Sequence, residues 1–93
     1  MNAANDPDSD SLLQFPCSFP IKVMGRHEPG FAALVVELVG RHAGPLAEDS
    51  VRSRASSNGH YLSVTITITA RSRTQLDDIY RDLSATPQVL FVL

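Results

Sequence analysis

Ninety-three residues make one domain, near the lower end of what folds without staples, and an apolar content of 43% is ordinary for a globular chain. The net charge is −2 with Asp6, Asp8 and Asp10 at the N-terminus, so the remainder is close to neutral and lacks the basic excess that grips a phosphate backbone. A single cysteine, Cys17, excludes an internal disulfide and a cysteine-pair metal site, and no apolar run has membrane-spanning length.

Met1 to Ser11 is rich in Asn, Asp and Ser with little to bury, which predicts a disordered tail over residues 1–11 and a domain over residues 12–93. That acidic, polar start is unlike a signal peptide, so a cytoplasmic location is expected. Phe19, Ile21 and Val23 alternate as a first strand ended by Gly25, with Pro20 at the strand's beginning or where no partner needs its missing N–H. Pro29 suits a first helical position, and Phe31, Leu34, Val35 and Leu38 follow at helical spacing until Gly40 or Gly44 stops them. Leu46 to Ser50 is a connection. Val51 to Ser56 is a strand whose Arg52 and Arg54 suit an edge, where charge discourages unwanted pairing.

Ser57-Asn58-Gly59-His60 is a hairpin turn, since Asn-Gly tolerates positive φ. Tyr61 to Ala70 then alternates without a fault. Leu62, Val64, Ile66, Ile68 and Ala70 point one way, and Ser63, Thr65, Thr67 and Thr69 the other, as in a strand buried on one side and wet on the other. Ser72 and Gln75 match a capping box for a second helix that carries Leu76, Ile79, Tyr80 and Leu83 on one face. Pro87 closes the gap, and Val89 to Leu93 is a last strand. The order β-α-β-β-α-β, with right-handed crossovers, predicts an α+β ferredoxin-like split βαβ fold: a four-stranded antiparallel sheet with both helices on one face.

The residues that could carry chemistry are sparse. His27, His42 and His60 fall on a loop, a helix end and a turn without ligand spacing, so no metal site and no cofactor is expected. At its helix end, His42 complements the helix dipole. Cys17 follows a proline with no strong cationic neighbour in sequence and reads as a partly buried, inert thiol. The pairs Glu48-Asp49 and Asp77-Asp78 sit where solvent-facing charge belongs, with nothing to tune them for acid–base work. No phosphate loop or nucleophile elbow occurs, so the chain is not expected to be an enzyme. RNA binding on the open sheet face would need aromatics on the central strands, and the long strand offers Tyr61 at one end, so nucleic acid is disfavoured.

Two places are more suggestive. Gly25-Arg26-His27-Glu28-Pro29-Gly30-Phe31 sets glycines at both ends of a short polar loop entering a helix N-terminus, where free N–H groups hold a carboxylate. The candidate ligand residues are Gly25, His27, Glu28, Gly30 and Phe31, the backbone receiving a carboxylate and His27 or Glu28 an amine. The second place is the apolar last strand. Its Leu90 and Val92 are expected to join Met24 in an exposed patch on the open face, a contact for a protein partner or a second copy.

Phe15-Pro16-x-x-Phe19-x-x-Lys22-Val23-Met24-Gly25, Arg41-His42-Ala43, Ser57-x-Gly59-x-Tyr61-x-Ser63-Val64 and the closing Val92-Leu93 resemble the YbeD-like family of small, uncharacterised bacterial proteins. The match runs from Leu12 onward. It implies an ACT-like ferredoxin fold, a bacterial cytosolic protein, and a suggested part in regulating lipoate metabolism. Glu28-Pro29-Gly30-Phe31 before an apolar helix is also similar to the first loop of ACT domains, the amino-acid-sensing modules of metabolic enzymes. It departs from them at His27, where an aspartate is usual. Together these imply a non-enzymatic regulatory module that senses a small effector or acts through a protein partner, with an interaction module lacking any ligand as the alternative.

Overall fold

The computed structural model describes residues 13–93. The tail expected over residues 1–11 lies outside the described residues, as does Leu12. Strand β1 (Cys17–Arg26) leads to helix α1 (Phe31–Ala43), a short 3-10 turn (Glu48–Ser50), β2 (Val51–Ala55), β3 (Tyr61–Ala70), helix α2 (Arg73–Ser84) and β4 (Val89–Val92). The four strands form one antiparallel sheet in the order β2-β3-β1-β4. This is the ferredoxin-like α+β arrangement read from the alternation of apolar positions.

The faultless alternation of β3 does what its period requires. Leu62, Val64, Ile66, Ile68 and Ala70 are buried, with Ile21 and Val23 of β1 beside them. Phe31, Val35, Leu38 and Val39 of α1 and Leu76, Ile79 and Leu83 of α2 close over the same face. Fully burying each such aliphatic side chain contributes about 1.5–3 kcal/mol, which is why the two helices stay on this side. The threonines of β3 face away from the helices.

Several local details differ from expectation. Gly25 does not end β1, which runs on to Arg26. Pro29 is not the first helical residue; Glu28–Phe31 is a turn in which the Phe31 N–H donates to the Glu28 carbonyl (3.2 Å). Gly30, at φ 86° and ψ −6°, takes the left-handed third position that a type II turn reserves for glycine, with Pro29 before it. Of the two glycines expected to stop α1, Gly44, at φ 79°, terminates it. Pro20 stands inside β1. Lys22 exchanges both backbone bonds with Leu93 (3.2 and 2.8 Å), so even-numbered residues of β1 turn their backbone groups toward β4. β4 pairs with β1 from Gly25 back to Lys22, and Pro20 lies past that reach, where no N–H is called for.

Ser72 caps α2, its Oγ accepting from the Gln75 N–H at 3.0 Å. The Gln75 side chain reaches back to the Arg71 N–H (2.6 Å), one residue before the cap, and its Nε2 donates to the His42 carbonyl (3.2 Å). The capping glutamine is buried and ties α2 to the end of α1. His42 does more than face the α1 dipole: its Nε2 donates to the Asp82 carboxylate at 2.5 Å, a second tie between the helices.

Candidate functional site

The loop from β1 to α1 is held by the neighbouring turn. The His27 N–H donates to the His60 carbonyl (2.9 Å), and its ring Nδ1 lies 3.3 Å from the Gly59 carbonyl oxygen. That turn keeps its own shape through Asn58, whose Oδ1 accepts from Ser56 Oγ and from the His60 N–H, with Gly59 at φ 78°. Three depressions surround the loop. One of about 420 Å³ is lined by Arg26, His27, Glu28, Gly59, His60 and Tyr61. A second, about 290 Å³, lies between Arg26, Glu28, Pro87, Gln88 and Leu90. The smallest, about 160 Å³, covers the start of α1 at Glu28, Pro29, Gly30, Phe31 and Leu34 with Gln88.

The five predicted loop residues therefore divide. His27, Glu28 and Gly30 are exposed and line these depressions. No side chain caps the N-terminus of α1, and its first N–H, that of Phe31, is taken by the Glu28 carbonyl. Gly25 is buried, and the room beside its Cα is taken by the Phe31 ring: a Cβ there would lie 2.3 Å from Phe31 Cζ and 2.7 Å from the Gln88 carbonyl oxygen. Phe31 in turn is a core residue, 4% exposed. These two serve packing, and Gly25 offers a ligand no approach. Sequence reasoning missed Arg26, His60 and Tyr61 as lining. Carrying the β1 alternation two residues past Lys22 and Met24 would have turned Arg26 outward.

The predicted apolar patch is also rearranged. Val92 pairs with Val23, Phe91 with Met24, and Val89 with Gly25, so Val89, Leu90 and Phe91 oppose only Met24 and Gly25, with Leu90 as the extra residue. This bulge breaks the alternation. Val89 and Val92 both pack against the core, while Leu90 and Phe91 are each 50% exposed. Val92 therefore does not belong to the open face as expected. Phe91 stands there instead, opposite Met24, with Leu93 (66% exposed) alongside Lys22 and Leu90 at the rim of the second depression. Tyr80 of α2 anchors this strand by donating from its hydroxyl to the Leu93 carbonyl (3.2 Å), and burial pushes its phenol above the usual pKa of 10.0.

Across the sheet the open face changes character. Arg52 lies opposite Thr65, which lies opposite Lys22; Arg54 lies opposite Ser63, which lies opposite Met24. No strand carries an Asp or Glu, and among the described residues the arginine–carboxylate pairs involve Arg41, Arg73 and Arg81 on the helices rather than any strand cation. The outward positions of the central strands hold Tyr61 as their one aromatic side chain. Among the described residues no group of three or more His, Cys, Asp or Glu is placed to hold a metal ion, and no helix is long and apolar enough to cross a membrane.

A family model described as "Protein of unknown function (DUF493)" matches residues 10–93. A UPF0250 protein of Leptothrix cholodnii is 52% identical over 87 residues, covering 94% of this chain and 96% of its own. One from Paraburkholderia phymatum is 45% identical over 87 residues, covering 94% and 98%. Among solved structures, the solution structure of HP0495 from H. pylori superposes with a TM-score of 0.66 over 87% of this chain and 85% of that one. At 15% identity that likeness speaks for the fold alone. With near full-length agreement on both sides, the chain belongs to the DUF493 family of small bacterial proteins, the UPF0250 or YbeD-like proteins.

Proposed function

We propose that this protein is a non-enzymatic regulatory module of the bacterial cytoplasm that works by docking another protein on the open face of its sheet. One observation carries the reading: Leu90, Phe91 and Leu93 stand half or more exposed around Met24 on a face that neither helix covers. An apolar cluster of this kind loses water-exposed area when a partner closes on it, at about 25 cal/mol per Å² removed, which is the ordinary driving force for association. The test is capture from bacterial cytosol on the immobilised full chain. Phe91→Asp should abolish capture and Thr67→Asp, on the same face away from the cluster, should keep it. Equal capture by both variants refutes the docking face.

A second reading has its own observation, the depressions ringing Arg26–Phe31. Here Arg26 and the start of α1, which no side chain caps, receive the carboxylate of a small effector, lipoate and amino acids being the compounds that the resemblance suggests. Thermal melts over that panel test it. Stabilisation by one compound, lost in His27→Ala, is the expected result, and no shift with any compound removes the effector.

A further inference from the structure

We infer that the partner segment seated on the open face is an acidic amphipathic helix, a conclusion that rests on the docking reading above and names its occupant. The face has two rails. Arg52 and Arg54 form one along β2, and Phe91 and Leu93 form the other along β4, with Lys22 and Met24 beside it. Ser63 and Thr65, short hydroxyl side chains, make the floor between. β2 and β4 are three strand spacings apart, about 14 Å, and a helix with its side chains is about 10–12 Å across. Arg52 and Arg54 are separated by about 6.6 Å along the strand, close to the rise of about 6 Å between helix positions i and i+4. A helix with carboxylates at that spacing on one flank and leucines on the other therefore meets both rails at once.

The other occupants fit less well. An extended segment on the face finds no backbone partners, because the sheet uses its own N–H and C=O groups internally, whereas a helix brings its backbone bonds with it. A second copy of this chain would have to offer carboxylates at helical spacing, but Glu37, Asp77, Asp78 and Asp82 on its helices are already paired with Arg41, Arg73, Arg81 and His42. The exposed Glu28, Glu48 and Asp49 stand on a loop and a short 3-10 turn, not on the flank of an α-helix. Single-stranded RNA would find cations, but for stacking the central strands offer it Tyr61 at one end, and Phe91 stands out on the β4 edge, away from the arginines of β2.

The probe is a labelled peptide of about 16 residues, long enough to hold a helix, with Glu pairs at i, i+4 on one flank and Leu pairs on the other. Its anisotropy is followed on the full chain. The expected result is salt-sensitive binding, weakened about tenfold in Arg52→Glu/Arg54→Glu and in Phe91→Asp, with unchanged circular dichroism in both variants. The same peptide with Lys for Glu should not bind. Equal or tighter binding of the Lys peptide or of oligouridine overturns the proposal. Binding seen only when Asp6, Asp8 and Asp10 are changed to Asn assigns the face to the chain's own N-terminus and overturns it too. If Phe91→Asp abolishes cytosolic capture while Arg52→Glu/Arg54→Glu changes neither capture nor peptide binding, the docking face stands and the acidic helix falls. If none of these variants changes either readout, both fall.

Discussion

Gly25→Ala separates a glycine kept for packing from one kept for a ligand. The added Cβ would sit 2.3 and 2.4 Å from Phe31 Cζ and Cε1, and 2.7 Å from the Gln88 carbonyl oxygen. Carbon atoms rest at about 3.5–4.0 Å, so the ring must retreat by more than about 1 Å. Phe31 is 4% exposed among Val35, Ile79 and the sheet residues of the core, and Gln88 offers backbone that moves only if the entry to β4 moves. Overpacking of this sort costs about 1–3 kcal/mol, and the backbone contact places this case near about 3 kcal/mol. At about 4–8 °C per kcal/mol for a domain of this size, the melting temperature should fall by at least about 10 °C. Phe31→Leu vacates the positions of Cζ and Cε1. In that background the same glycine substitution should cost about 1 kcal/mol, a coupling of about 2 kcal/mol between the two sites. Urea denaturation of the four chains, followed by circular dichroism, measures it. A cost of about 0.5 kcal/mol or less in the parent chain, or equal costs in both backgrounds, refutes the packing argument.

Three further outcomes follow from the same geometry. Ile66→Ala should lose about 2–5 kcal/mol in denaturant unfolding while Thr67→Ala, its neighbour on the opposite face, stays within about 0.5 kcal/mol; comparable losses would place the core on the wrong side of the sheet. Gln75→Ala leaves the Arg71 N–H without its acceptor and the His42 carbonyl with Arg71 Nη2 alone, so a loss of about 1–3 kcal/mol is expected, larger than the roughly 1 kcal/mol for Ser72→Ala. Tyr80 holds its proton more tightly folded than unfolded, because burial disfavours the phenolate. Its contribution is therefore complete below pH 10.0, the usual value, and is lost as pH rises through the higher folded value. Unfolding curves of the parent and Tyr80→Phe should differ by about 0.5–1.5 kcal/mol near neutrality and converge at alkaline pH; a constant gap would contradict the assignment.

Local pattern was enough wherever burial is decided by period. The two faces of β3, the apolar stripes of both helices, the hairpin at Asn58-Gly59, the cap at Ser72 and the edge position of the arginine-bearing β2 all follow from residues two to four apart. Period two in β3 and the helical spacing of Phe31, Leu34, Val35 and Leu38 left one way to bury the apolar side chains, and the ferredoxin-like fold follows from it.

What tertiary structure alone decided concerns segments distant in sequence. The alternation of Val89 to Leu93 put Leu90 and Val92 on one face, but docking β4 against β1 inserted a residue, turned Val92 inward and left Leu90 and Phe91 exposed together. Gly25 looked like a turn residue until the Phe31 ring was seen to fill its space. His27 against the Gly59-His60 turn, and His42 against Asp82, are likewise contacts that no spacing along the chain announces. The physical reason is common to all of them: a bulge, a close ring and a cross-chain hydrogen bond are set by how two surfaces meet, and that geometry exists only after the elements have packed.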